Sequence, residues 1–392
     1  MRFAPVAVPR PHDLVVEAPL RDQLALFHLE TRRLHLLNGS AAAIWSQLRE
    51  AKTIGDVTIG IGARFDVDPR SIRHEVEQTI DQLRADGLLR IDDHFAPACA
   101  RQPGFTLPDR PVAAPDNGSY RALNADIGLI CDDDEITDAI AGVLAPLRSD
   151  RSPNVAIEIE IEIDTDSESG WLVTAGGAEP VRLGSRLSVV LRAIGEVSNL
   201  AVASVPNDLV FHAGAVSAAG RAVVMPAASN HGKSTLTTAL VAAGYAYLTD
   251  EAAVIEDDLR VRAFLKSIAL DPGSFPLFDH LAPADAVNGL SRAIACREWH
   301  VDPTFVGATA PSATVAAIVC PHWRAGAATC VSPVAPTEAL HLLLGEAFDF
   351  AAGGQAVFDR LVRLVQDVPV YRIGYSDLDE AVVAVGEILA GA

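Results

Sequence analysis

The chain has 392 residues, 49% of them apolar, which is enough to bury two cores, and a formal net charge of −20. That acidity excludes the basic footprint from which a nucleic-acid binder gains affinity, and no apolar run is long enough to span a bilayer. Met1-Arg-Phe-Ala-Pro-Val-Ala-Val-Pro-Arg10 lacks the uninterrupted apolar core of a signal peptide, and the five cysteines (Cys99, Cys131, Cys296, Cys320, Cys330) are odd in number and scattered. A cytoplasmic protein is expected, with no membrane or nucleic-acid partner, no disulfide framework and no structural zinc; a homo-oligomer is left open.

The first hundred residues predict a module of their own. Leu14-Val-Val-Glu17 and Leu24-Ala-Leu-Phe-His-Leu29 read as paired strands, followed by a short strand at Arg33-Leu-His-Leu36. Three helices follow. Asn38 or Ser40 caps the first, which turns Ile44, Trp45 and Leu48 inward. Thr53-Ile-Gly-Asp56 opens the second with capping-box spacing. Asp68-Pro69 opens the third with an N-cap and a first-turn proline. Its apolar stripe is Ile72, Val76, Ile80 and Leu83, and Gly87 ends it.

Three strands on three helices make a winged-helix-like module, a form that often binds nucleic acid. Here Lys and Arg are interspersed with acids, which argues against that use. The order of elements resembles the PqqD-like family, with Leu36-Leu-Asn-Gly-Ser-Ala-Ala-Ala-Ile-Trp45 at the strand-to-helix junction and Leu83-Arg-Ala-Asp-Gly-Leu-Leu89 at the end. Such modules recognise the leader segments of ribosomally made peptides that are modified after synthesis. The resemblance implies that a leader adds as a strand at a sheet edge, against a helix groove. It makes Arg33, Leu34, His35 and Leu36, with the flank of the third helix, the expected leader-binding surface.

From Phe95 to Asn117 the prolines at 97, 103, 108, 111 and 115 predict an extended linker. The domains expected are therefore 1–94, a linker over 95–119, and 120–392, with residues 1–94 forming a core of their own. A β-rich stretch follows. In Val155-Ala-Ile-Glu-Ile-Glu-Ile-Glu-Ile163 the alternation puts isoleucines on one face and Glu158, Glu160 and Glu162 on the other, a solvated sheet face rather than a metal site. Residues 184–203 then read as a helix.

The most informative stretch is Arg221-Ala-Val-Val-Met-Pro-Ala-Ala-Ser-Asn-His-Gly-Lys-Ser-Thr235. It reads as an apolar strand, a loop of small residues (Ala227, Ala228, Ser229, Asn230, His231), and Gly232-Lys233-Ser234-Thr235 opening a helix. Backbone N–H groups and a helix N-terminus then converge on one point, which suits a polyphosphate. Lys233 would reach the β- and γ-phosphates and Ser234 would carry Mg²⁺, so the chain is expected to bind ATP or GTP. Ala227 stands where the usual pattern has glycine, and Asn230 takes a second small position. Leu236, Ala239, Leu240 and Ala243 recur at helical spacing, with Gly244 as the cap.

Tyr245-Ala-Tyr-Leu-Thr-Asp250-Glu251 is a second apolar strand, ending in two carboxylates where a phosphate-loop enzyme organises its Mg²⁺. His212 lies in a further strand, Leu209-Val-Phe-His-Ala-Gly214. The set His212, phosphate loop and Asp250-Glu251 resembles the kinase domain of HPr kinase/phosphorylase and its relatives. Phe264-Leu-Lys-Ser-Ile-Ala-Leu-Asp-Pro-Gly-Ser274 and Tyr371-Arg-Ile-Gly-Tyr-Ser-Asp-Leu-Asp-Glu-Ala381 extend the likeness more weakly, so that it covers roughly residues 120–392. The fold class implied is mixed α/β: a PqqD-type module, then a P-loop HPr-kinase-like, phosphoenolpyruvate-carboxykinase-like domain.

Together the two resemblances imply an ATP-dependent kinase acting on a Ser or Thr hydroxyl of a precursor peptide held by its leader. In that reading Asp250 is the base, His212 positions Asp250, Lys233 neutralises charge on the transferred group, and Ser234 and Glu251 hold Mg²⁺. The family's second acid is commonly Asp, so the longer Glu251 puts the reverse phosphorolysis in doubt. Two alternatives stand beside it. One is a leader-binding chaperone with a degenerate kinase domain, and the other is a switch that only hydrolyses ATP.

Overall fold

The computed structural model describes residues 9–51, 53–90, 117–162, 170–228, 231–283, 288–348 and 351–392. The expected proline-rich linker falls almost wholly outside them, as do Cys99, Ser229 and Asn230. The fold is mixed α/β and divides into two compact units, one of residues up to 103 with 350–366, the other of 104–349 with 367–392.

The first unit contains β1 (Arg10–Pro11), β2 (Val15–Leu20), β3 (Gln23–His28), β4 (Arg33–Leu37), α1 (Gly39–Gln47), α2 (Ile54–Phe65), α3 (Pro69–Ala85) and β5 (Leu89–Arg90). The order β2-β3-β4 is an antiparallel meander with Val16 opposite Phe27 and Leu26 opposite His35. The expected caps form. Asn38 accepts from Ala41 N at 2.9 Å, while Ser40 only donates to Asn38. Thr53 and Asp56 make a reciprocal capping box, and Asp68 caps α3 ahead of Pro69. Leu26, Ile44, Trp45, Leu48, Ile61, Val76, Ile80 and Leu83 share one core, with Ile72 packed at its margin.

The second unit opens with β6 (Ser119–Ala122), β7 (Ala125–Cys131), α4 (Asp134–Val143), β8 (Val155–Glu162), β9 (Gly170–Ala175), β10 (Val181–Leu183) and α5 (Arg186–Ala203). Five strands in the order β10-β9-β8-β7-β6 share a core with α4 and α5. Ile157 and Ile159 are buried while Glu158 and Glu160 are exposed, as alternation requires.

The second unit continues with β11 (Leu209–Ala218), β12 (Arg221–Pro226), α6 (Lys233–Ala242), β13 (Ala246–Thr249), β14 (Ala252–Ile255), β15 (Arg260–Arg262) and β16 (Ile268–Leu270). After these come α7 (Gly289–Ala295), β17 (Trp299–Val301), α8 (Pro303–Val306), β18 (Ser312–Trp323), β19 (Cys330–Pro333) and α9 (Pro336–Glu346). The chain ends with α10 (Gly354–Asp367), β20 (Val370–Tyr375) and α11 (Leu378–Gly391). β11 is the hub of the larger sheet: β12 pairs with it on one side, β13 and β14 on the other. β12, β18 and β20 run parallel. The α6 and α11 side chains Leu236, Leu240, Ala381 and Val385 share a core with Val223, Tyr247 and Ile373 of the sheet. Ala243, expected on the inward stripe of α6, is exposed because the helix ends there; Thr237 and Val241 fill that face.

α10 belongs to the first unit, although in sequence it lies between strands of the second. Phe358 stacks on Phe27 with ring centroids 5.8 Å apart. Gln355 Oε1 accepts from Glu17 N at 3.1 Å, and its Nε2 donates to Glu17 O at 2.6 Å. Gln366 Nε2 donates to Pro19 O at 2.9 Å. The expected split at 94 and 120 is corrected on this point. Sequence-local reasoning could not find a helix that closes a core from more than 300 residues away in the chain.

Candidate functional site

β12 delivers the chain to the expected phosphate loop. Ala227 is buried and Ala228 exposed. Gly232 takes φ +85°, a left-handed conformation that favours glycine, and as the N-cap of α6 it offers no side chain to cap the helix. A Cβ there would lie 2.5 Å from the Tyr375 hydroxyl, which donates to Gly232 O at 3.3 Å. Among the described residues nothing caps the first-turn N–H groups of α6, which are the kind of donors a phosphate takes. Lys233 is buried and donates to the Ala227 carbonyl at 3.2 Å. Burial lowers its pKa, opposed by Asp250, Glu251 and Glu346 nearby. Thr235 Oγ1 and Ser274 Oγ lie 2.6 Å apart, tying the helix start to the turn after β16.

Asp250 and Glu251 occupy the bend that connects β13 to β14 and face different partners. Asp250 is buried. Its Oδ1 accepts from the Tyr247 hydroxyl at 3.0 Å and its Oδ2 from Ala269 N at 3.0 Å. Burial, and then the charge of Glu251, raise its pKa to about 6 against the pull of Lys266 and these two donors. Glu251 is half-buried, and Lys266 Nζ donates to its Oε2 at 2.9 Å and to Ser198 Oγ at 3.2 Å. Burial would raise the Glu251 pKa, but the Lys266 charge and hydrogen bond, with His212 and Lys233, outweigh it and lower it.

His212 departs from expectation. Its Nδ1 lies 3.2 Å from the Glu251 carbonyl oxygen and 4.0 Å from the Glu251 carboxylate. Pairing of β11 with β14 sets His212 opposite Ala252, beside Glu251, while Asp250 turns toward Tyr247 and β16. The contacts of His212 are therefore with Glu251, where Asp250 was expected. Burial, and then the Lys233 charge, lower its pKa, and its ring meets Phe348 edge-on at 6.2 Å. Sequence reading missed Lys266 and Tyr247. The one available signal was a lone lysine inside the apolar run Ala263-Phe-Leu-Lys-Ser-Ile-Ala-Leu270.

The donor set suits a magnesium ion. Among the described residues no cluster of three or more His, Cys, Asp or Glu is arranged as a cage. Mg²⁺ with a nucleotide needs only one or two protein oxygens besides phosphates and water, and the Ser234 hydroxyl and Glu251 Oε1 are of that kind.

In the first unit β4 pairs on one side with β3 and stands at the edge of its sheet. Arg33 and Leu36 are exposed, Leu34 and His35 half-buried, and His35 Nδ1 lies 3.8 Å from Asp86 Oδ2 at the end of α3. The opposite edge, β2, is occupied by the Gln355 and Gln366 amides.

Residues 23–89 match the family described as Coenzyme PQQ synthesis protein D (PqqD). The N-terminal module is PqqD-like. No curated protein matches the chain. A solved structure titled "TbiB1 in Complex with the TbiA(beta) Leader Peptide" is similar at 27% identity, over 22% of this chain and 99% of that one, with a TM-score of 0.20. Among the described residues no helix is long and apolar enough to cross a membrane.

Proposed function

We propose that the chain is an ATP-dependent kinase that phosphorylates a Ser or Thr hydroxyl of a ribosomally made precursor peptide held by its leader. The PqqD-like module supports peptide binding, and the edge of β4, which among the described residues pairs with β3 alone, is where a leader strand would add. Kinase chemistry rests on one observation. A helix start with a glycine N-cap and a buried lysine stands within electrostatic reach of a buried acid whose pKa is raised to about 6.

In the proposed reaction the N–H groups at the start of α6 and the Lys233 ammonium take the phosphates of ATP, Lys233 exchanging the Ala227 carbonyl for a phosphate oxygen. Asp250 takes the proton of the acceptor hydroxyl. The acceptor oxygen bonds to the γ-phosphorus as the β–γ bridging bond breaks, and ADP leaves with the bridging electrons. Tyr247 and Ala269 N hold the Asp250 carboxylate in place, and the Glu251–Lys266 pair fixes the second acid beside it. Mg²⁺, held by Ser234 and Glu251, would neutralise charge on the phosphates.

A binding-only role is the second reading, favoured by Ala227 in the loop and by the donors already on both Asp250 oxygens. Incubation of the full chain with Mg-ATP and a leader-bearing precursor, read by intact-peptide mass spectrometry together with ATP turnover and leader binding, separates these readings and the hydrolysing switch. One added phosphate on Ser or Thr that is lost in Lys233→Ala supports the kinase. Leader binding without phosphate transfer supports the chaperone, and ATP turnover without peptide modification supports the switch.

A further inference from the structure

We propose that Trp323 is the platform on which the base of the bound nucleotide stacks, and that it accepts adenine and guanine alike. The inference rests on the nucleotide-binding reading and extends it to the part of the ligand beyond the phosphates.

The parallel strands β12, β18 and β20 bring their carboxyl ends to one edge of the sheet, where ligands of α/β sheets gather. β12 ends in the phosphate loop. β20 ends in Tyr375, which bonds Gly232. β18 ends in His322 and Trp323, paired with Gly374 and Tyr375. The Trp323 N–H donates to the His231 carbonyl at 3.3 Å, and Trp323 Cβ lies 3.3 Å from where a Cβ on Gly232 would stand. Trp323 itself remains 48% exposed.

A single exposed aromatic needs no explanation, and Phe305, 80% exposed, carries nothing for that reason. Trp323 differs in two ways. Its backbone is fixed to the loop, and it stands on the edge where a nucleoside would continue from the phosphates. An indole offers a large rigid face at little entropic cost. Its single polar group only donates, so it reads no base edge in full. Stacking uses the π-face that every base has, which makes it tolerant of base identity.

The test is titration calorimetry on the full chain with Mg-ATP, Mg-GTP and magnesium tripolyphosphate, using Trp323→Ala and Trp323→Phe. Trp323→Ala is expected to weaken ATP and GTP by roughly tenfold or more and to leave tripolyphosphate within about twofold, while Trp323→Phe recovers most of the loss. Tripolyphosphate binding by each variant also reports that the loop is intact. Equal losses for all three ligands would mean that Trp323 supports the loop and not the base, overturning the platform while the nucleotide reading stands. Unchanged ATP and GTP affinity in Trp323→Ala overturns it too, and loss of one base alone overturns the tolerance. A wild-type chain with no affinity for any of the three ligands removes the nucleotide reading and the platform with it.

Discussion

Asp250 is the residue on which the proposed chemistry turns, and its surroundings set a testable pH profile. A base works ionised, so with a pKa raised to about 6 the kcat/KM for peptide should fall as pH drops through that value and level off above it. Asp250→Asn should keep ATP affinity and lower kcat by roughly 10²–10⁴-fold. A variant that transfers phosphate near the wild-type rate would remove Asp250 from the mechanism. Lys266 gives a second handle, because its charge holds the Asp250 pKa down. Lys266→Met should therefore move the acid limb of the profile to higher pH, whereas a lysine with only a structural role would lower activity without moving the limb. It should also raise the pKa of Glu251, which loses its closest cation. The test is the kcat/KM profile of both proteins between about pH 5 and 8, where unperturbed carboxylates are already ionised.

At the scale of elements, the two edges of the β2-β3-β4 sheet are treated differently. Exposed edges invite pairing, and proteins cover those they do not use. Here the Gln355 and Gln366 amides satisfy Glu17 and Pro19 of β2, while among the described residues β4 has no strand beyond it. Leu36→Asp, on the open edge, should weaken leader binding about tenfold, because it sets a charge where a strand would pack. Gln355→Ala should cost about 1 kcal/mol of stability, or less given its exposure, and leave leader affinity unchanged. Fluorescence anisotropy with a labelled leader and thermal melts separate the two effects, and the reverse pattern would move the leader site to β2.

What was legible in the sequence follows the range of the forces involved. The caps at Asn38, Thr53 and Asp68, the Ile157–Glu160 alternation and the strand–loop–helix around Lys233 are all set within a few residues. Each could be read locally. His212 was placed in its strand but given the wrong partner, because only the β11–β14 register decides which acid it meets. Lys266 and Tyr247 depend on the approach of β16 to the β13–β14 turn, which the sequence does not encode at short range.

At the scale of the whole molecule, the recognition unit is discontinuous, and this changes what a fragment should do. A piece of residues 1–94 keeps the core around Trp45 and Ile80 but loses the Phe358 ring from Phe27 and both glutamines from β2. It should therefore melt lower and associate more readily than the same piece joined through a flexible linker to residues 351–367. If the two melt alike, α10 is dispensable to the module. The full chain then tests what the module is for. A leader held on β4 raises the local concentration of the acceptor, so removing the leader from the substrate should raise KM by roughly a hundredfold or more and leave kcat close to unchanged. Leu36→Asp should reproduce part of that KM increase with the leader-bearing peptide and none of it with the leaderless one. Steady-state phosphorylation of both peptides by both proteins supplies the comparison. A leaderless peptide that reacts with wild-type KM would mean that the PqqD-like module binds something other than the substrate of the phosphate-loop unit.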